Sequence, residues 1–438
     1  MSSFIGGIHP TYNKITRKSK VEVAPMPKRV ILPLQQHIGA PCEALVKAGD
    51  IVKVGQKIAE SKGFVSAPIH ASISGKVLGR GKAHHPVLGK CDSIVIESEG
   101  QIGWDESVKK RENVDSLNND ELKNIIKEAG IVGLGGAAFP THVKLSPPPD
   151  KKIDTVILNG AECEPYLTCD HRIMLEQTEK VIKGFLIIIK ILGPENCYIG
   201  IEDNKENAIS LFEEKLLDME LNEKIKVVKL KTIYPQGAEK NLIYSITGRQ
   251  VPNSGGLPMD VGCVVSNVQT AKAIYDAVYE GKPLVERVVT VTGAVKEPKN
   301  LLVKIGTPVK DIINHCGGYE GTTGKLISGG PMMGIAQYTD DIPIIKGSSG
   351  VLVQKEDIIS DEEKDCIRCS KCVDKCPMNL MPTMIYQYSK KDDFDRCKEY
   401  FALDCYECGC CSYVCPSKIP LVHWIKHAKS ELVKRKKK

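Results

Sequence analysis

The stretch CIRCSKCVDKCP, Cys366 to Pro377, sets four cysteines at the spacing C-x2-C-x2-C-x3-C and closes on proline; CYECGCCSYVCP, Cys405 to Pro416, repeats the pattern. Disulfides, zinc and iron–sulfur clusters compete for so many thiols. Disulfides need an oxidising compartment, and the opening MSSFIGGIHP lacks a basic region followed by an apolar one, so no export signal is expected. Structural zinc sites usually join two separated C-x2-C pairs. Here three thiolates arrive in one short loop and a fourth leaves it. That suits a cubane whose first three corners are caught locally and whose fourth ligand comes from elsewhere.

In two-cluster ferredoxins the fourth cysteine of each run ligates the other cluster. The expected sets are therefore Cys366, Cys369, Cys372 and Cys415 for one [4Fe–4S] cluster, and Cys405, Cys408, Cys411 and Cys376 for the other. Only Cys411 keeps the x3 spacing to Cys415, which leaves Cys410 as a non-ligand thiol. Cys397 reads as a packed core residue. Between the runs, NLMPTMIYQYSKKDDFDRCKEYFALD carries apolar residues at helical intervals, predicting a helical cluster module.

The chain around these runs has 438 residues, too many for one core, and several domains are expected. A hydrophobic fraction of 42% and a charged fraction of 26% describe a folded, water-soluble protein. The most apolar run, VIKGFLIIIKIL (Val181 to Leu192), is interrupted by lysines and falls short of the ~20 residues of a membrane span. It reads as a buried helix. The net charge of +6 is concentrated in the closing VKRKKK, either a solvated tail or a docking element for anionic lipid or an acidic partner. No aromatic-interleaved basic surface accompanies it, and nucleic acid is not an expected partner.

The middle of the chain is glycine-rich. In GIVGLGGAAFPTHVKLSPPP (Gly130 to Pro149), Gly133, Gly135 and Gly136 leave backbone N–H groups free to converge on an anion, or serve packing alone. The loop is neither a G-x-G-x-x-G turn nor a Walker motif. TVILN then reads as a buried strand that delivers Asn159, Glu162 and Glu164 to its C-terminal end. There, open α/β sheets place ligands, and solvated loop acids are also common. TIYPQGAEKNLI and VVSNVQTAKAI each read as strand, turn and helix.

These segments resemble, in order, motifs of the NADH-oxidising, FMN-binding subunit family of respiratory complex I. GLGGAAFPTHVKLS is similar to its loop G-R-G-G-A-G-F-P-T-G-x-K-W. NGAECEP, YPQGAEK and NVQT are similar to N-A-D-E-G-E-P, Y-x-x-G-E-E-T and N-V-E-T. The resemblance spans about residues 115 to 350. It implies that Gly133, Gly135, Gly136, Lys144, Asn159, Glu162, Glu164, Tyr234, Glu239, Asn267 and Thr270 surround FMN and the nicotinamide of NAD(H). The family's arginine, its aspartate and the first acid of its glutamate pair are here Leu134, Ala161 and Ala238.

VVTVTGAVKEPKNLLVKIGTPVKDIINHCGG (Val288 to Gly318) is similar to the SLBB β-grasp module of the same family, and a spacer role between flavin and clusters is expected of it. APCEALVKAGDIVKVGQKIAESKGFVSAPIHASISGKV resembles half of a lipoyl/biotinyl barrel-sandwich. Lys62 does not align with a carrier lysine, so this module is expected to be an unmodified scaffold. The order of modules resembles the family of C subunits of Rnf electron-transport complexes over nearly the whole chain.

The expected architecture is multidomain α+β. A barrel-sandwich hybrid (1–112) precedes an α/β FMN/NADH domain (113–285), an SLBB β-grasp domain (286–354), a helical two-cluster ferredoxin-like domain (355–432) and a basic tail (433–438). The resemblance implies a peripheral subunit on the cytoplasmic face of a membrane. It would exchange electrons between NAD(H), FMN and two [4Fe–4S] clusters, with other membrane-embedded and iron–sulfur subunits as partners and ferredoxin coupled indirectly. The rival readings are a soluble reductase of another acceptor, such as a corrinoid, and an electron-transfer adaptor without an NADH site.

Overall fold

A computed structural model describes residues 4–100, 103–356 and 362–436. The barrel-sandwich faces two antiparallel sheets. One holds Arg29–Pro33, Gly89–Ser98, Gly75–His85 and Ile51–Val52 in that order, the other Glu43–Ala44, Lys57–Glu60 and Ile69–His70. Alternate side chains turn inward, and Val30, Leu32, Ile58, Ile69, Ile73, Ile94 and Ile96 fill the space between the sheets.

The α/β domain carries a four-stranded parallel sheet ordered Ile225–Leu230, Asn196–Glu202, Thr155–Gly160, Cys263–Asn267. Its two central strands are apolar almost throughout because helices cover both faces. The chain lays Thr155–Gly160 first and builds outward on one side. It then returns to place Cys263–Asn267 on the other side. The order reverses between those two strands, and Asn159 and Asn267 are direct partners across the gap. Ligands of open α/β sheets bind at such a switch point.

The apolar run around Val181–Leu192 is the buried helix Thr178–Leu192, packed on Val268–Val278. Contact is close because position 184 is glycine: a Cβ there would lie 1.7 Å from the Ala271 carbonyl oxygen. An Asn118 capping box, closed by Glu121, starts the Asn119–Glu128 helix that leads into the glycine loop.

The β-grasp module contributes five strands of a six-stranded mixed sheet and the helix Val309–His315. The sixth strand, Val21–Val23, comes from the N-terminal segment and pairs in parallel with Lys299–Lys304. Residues 4–23 thus precede the barrel and run along the other modules.

The cluster module is helical: Lys371–Asp374, Pro382–Ser389, Phe394–Glu399, Cys410–Tyr413 and Leu421–Lys436. The last helix buries Leu421, Ile425, Ala428 and Leu432 along one face, so its basic end, up to Lys436, continues a packed helix. Residues 437–438 of the expected tail, and the link 357–361 before the clusters, lie outside the described residues.

Candidate flavin and iron-sulfur sites

At the switch point, Asn159 donates to the Gly237 carbonyl (2.9 Å) and accepts from the Ala161 amide (3.1 Å), which holds two loops at the sheet edge. Asn267 caps the next helix by accepting from the Gln269 amide (2.9 Å) and donates to Asp170 Oδ2 (2.7 Å). The glycine loop lies directly over it: a Cβ on Gly135 would sit 3.3 Å from Asn267 Cβ. Thr270 accepts from the Leu134 amide (2.9 Å), and Gly133 donates to the Phe139 carbonyl (2.8 Å).

The amides of Gly135, Gly136 and Ala137 have no partner among the described residues, and all three residues are exposed. Three successive unpartnered N–H groups on an exposed, small-residue turn at a switch point are open to an anionic group, which fits FMN. Lys144 and Glu239 meet at the same edge. The Lys144 ammonium donates to Glu239 Oε1 (2.8 Å) and to the Val265 carbonyl (3.0 Å), and the pair stays partly open to solvent.

The remaining residues singled out from the sequence face elsewhere. The Glu162 side chain is 4% exposed, accepts from the amides of Asp170 (2.7 Å) and His171 (3.4 Å) at a helix start, and faces Lys14 at 3.8 Å. Burial pushes its carboxyl above the ordinary range, and Lys14 opposes that rise. Glu164 accepts from the amides of Met332 (3.2 Å) and Met333 (2.8 Å) in the β-grasp module, and burial pushes it up to about 7. Tyr234 is wholly buried and donates to the Cys408 carbonyl (2.8 Å). These three join the flavin module to its neighbours.

Sequence reading missed the charges that hold this junction. Lys14 donates to the carbonyls of Glu162, Glu164 and Leu167. Lys205, buried with Glu202, donates to the carbonyl of Ala161. Arg287 reaches the glycine loop from behind. Lys14 stands in GGIHPTYNK, but nothing in its spacing signals a partner about 150 residues away.

In the cluster module the cysteines group across the two runs. Cys372 senses the charges of Cys366 and Cys415. Cys376 senses Cys408, and Cys411 senses Cys405, Cys408 and Cys376. Cys369 is exposed at the tip of the first loop. Among the described residues no three cysteine sulfurs lie within 4.8 Å of one another. Tetrahedral zinc would draw four sulfurs to about 3.8 Å separations, so the wider arrangement fits clusters better than single ions. Cys410 is buried among Ile8, Tyr234 and Cys408, and Cys397 sits in the helical core near the Ile385 carbonyl.

The two runs differ in exposure. The second is buried against the flavin and β-grasp modules: besides Tyr234, Asn241 donates to the Tyr406 hydroxyl (2.9 Å) and the Ser254 amide to Asp404 (2.6 Å). The first, from Ile367 to Lys371, is exposed.

Residues 126–276 match the family model of the Nuo51 FMN-binding domain, 2–101 the RnfC barrel sandwich hybrid domain, 288–336 the SLBB domain and 365–419 the 4Fe-4S dicluster domain. The C subunit of the proton-translocating ferredoxin:NAD(+) oxidoreductase complex of Clostridium ljungdahlii is 53% identical over 98% of this chain and 94% of its own. Its counterpart in the Na(+)-translocating complex of Acetobacterium woodii is 47% identical over 100% and 98%. The C subunit of the ion-translocating oxidoreductase complex of Rhodobacter capsulatus is 40% identical over 99% and 84%. A crystal structure of an NAD+-reducing [NiFe]-hydrogenase in the H2-reduced state superposes with a TM-score of 0.51 at 16% identity, over 75% of this chain and 68% of that one; the likeness concerns fold alone.

Proposed function

This chain belongs to the family of C subunits of ion-translocating ferredoxin:NAD(+) oxidoreductase complexes, and from that premise we propose how its own residues divide the work. It is an electron-transfer subunit of such a complex, with FMN, two [4Fe–4S] clusters and NAD(H) as its redox groups and ferredoxin and the other subunits as partners. Bound FMN supplies the exchange between a hydride carrier, which moves two electrons at once, and iron–sulfur centres, which take one at a time.

Gly133, Gly135, Gly136, Asn159, Asn267 and Thr270 shape the flavin cradle, and Lys144 with Glu239 forms its polar, solvent-facing wall. Glu162, Glu164 and Tyr234 act as supports that fix the cradle against the N-terminal segment, the β-grasp module and the second cysteine run. Cys376, Cys405, Cys408 and Cys411 hold the cluster next to the flavin module. Cys366, Cys369, Cys372 and Cys415 hold the outward one, within reach of a partner protein. The observation that carries this order is the burial of the second run against Tyr234 and Asn241 while the first stays exposed from Ile367 to Lys371.

No helix of the described residues is long and apolar enough to cross a membrane. We place the chain as a peripheral member of its complex, on the cytoplasmic face where NAD(H) is found. Anaerobic optical titration of the chain, carrying FMN and iron, tests the assignment: NADH should bleach the flavin rapidly. An NADH-silent chain that retains FMN would refute the NAD(H) role and leave an electron-transfer adaptor.

A further inference from the structure

Arg287 stands near the start of the first β-grasp strand, Glu286–Gly293, and is 2% exposed. Its guanidinium donates only to carbonyls: Val288 (3.4 Å), Lys346 (2.5 Å) and Leu134 (3.2 Å). Among the described residues no carboxylate lies within ion-pair distance of it. The titratable groups that face it are Cys169 and Asp170. Burial holds the Cys169 thiol protonated, and Asp170 spends its oxygens on Asn267 (2.7 Å) and Gln269 (2.8 Å). A guanidinium taken out of water without a bonded counter-charge is costly, and a neutral donor would serve packing at lower cost.

The bond to Leu134 gives this charge a role. Leu134 C=O and Gly135 N–H belong to one planar trans peptide and point in opposite directions. Anchoring the carbonyl from behind therefore turns the Gly135 amide to the front. Thr270 fixes the preceding peptide by accepting from the Leu134 amide. Between them, Thr270 and Arg287 tie down both polar atoms of Leu134, and the next three amides are left unpartnered on the exposed side.

We infer that Arg287 is a positioning residue of the flavin site: it aims the Gly135–Ala137 amides at the anionic part of the bound flavin and supplies the buried counter-charge to it. The β-grasp module is then a wall of that site rather than a spacer. The anion is a phosphate or the negatively charged reduced ring, and both would meet the same amides. This rests on the FMN assignment above.

The test compares the parent with Arg287→Gln and Arg287→Lys, measuring affinity for FMN and for riboflavin by fluorescence quenching, the flavin midpoint potential, and iron per chain. Arg287→Gln should weaken FMN about tenfold or more, at unchanged iron, while Arg287→Lys keeps the charge and recovers most of the affinity. Weakening of FMN alone places the phosphate on the amides. Equal weakening of riboflavin, with a midpoint shifted to more negative potential, places the ring there. If Arg287→Gln loses its iron, the comparison rests on Arg287→Lys, whose single ammonium cannot reach the Leu134 and Lys346 carbonyls together and should bind FMN about threefold more weakly. A variant that keeps its iron and binds both flavins within twofold of the parent overturns the inference. A parent chain that binds neither flavin refutes the FMN assignment instead.

Discussion

Replacing Gly6 by alanine should damage one cluster and spare the other. Gly6 has φ +81, and a Cβ there would lie 2.9 Å from both the carbonyl carbon and oxygen of Cys376. Its neighbours leave little slack: the Gly7 amide donates to the Lys375 carbonyl (3.2 Å), and Ile8 exchanges two backbone hydrogen bonds with Tyr234 (2.8 and 2.9 Å). The left-handed backbone costs alanine about 1–2 kcal/mol, and overlap with fixed backbone adds about 1–3 kcal/mol. Gly49→Ala is the control, because that residue has φ +93 and nothing within 4 Å of its Cβ, so it carries only the first cost. The difference of about 1–3 kcal/mol falls on the Cys376 peptide, where a ligand must shift or the N-terminal segment must lift away. In anaerobic preparations, the paramagnetic signal of the cluster held by Cys376, Cys405, Cys408 and Cys411 should broaden or weaken, and that cluster should be lost first in air. Equal damage to both clusters, or behaviour matching Gly49→Ala, would refute the reasoning.

Cys415→Ser should remove the cluster of Cys366, Cys369 and Cys372, and Cys376→Ser the cluster of the second run, each lowering iron from about eight to about four atoms per chain; spectra showing each serine disturbing the cluster of its own run would contradict the crossed ligation. Lys346, 1% exposed with its ammonium on the Pro68 and Gly130 carbonyls, should make stability rise with pH. Burial lowers its pKa from 10.5 to about 8, so between those values the unfolded chain holds a proton that the folded chain has shed. The gain approaches about 3 kcal/mol by pH 10.5. Burial keeps His37 and His70 neutral across this window and raises the Cys42 thiol, whose contribution falls as pH rises, so these neighbours do not imitate it. Thermal midpoints of the parent should climb relative to Lys346→Met from pH 8 to 10, and a constant gap would dismiss the effect.

What the sequence revealed and what it hid follow the range of the interactions concerned. Thiolate spacing is local chemistry, since a loop that grips three corners of a cubane must place its sulfurs within a few residues, so the dicluster domain that residues 365–419 match was legible in the two cysteine runs. Parallel strands buried on both faces must be apolar, so TVILN was legible too. Glu162 and Glu164 were not, although the motif NGAECEP was. Their oxygens bond amides of Asp170 in the same module and of Met333 in another, and the second separation is 169 residues. Arg287, in ERVVTVTG, reads as an ordinary strand charge until tertiary packing encloses it. The loop after Thr155–Gly160 is where the N-terminal segment, the β-grasp module and the flavin module converge, with the second cysteine run close by at Tyr234. A motif on such a loop mixes residues that face a ligand with residues that hold the modules together, and their spacing is the same for both. Only the direction of each polar atom separates them: the Gly135–Ala137 amides have no partner among the described residues, whereas the carboxylates of Glu162 and Glu164 are already engaged.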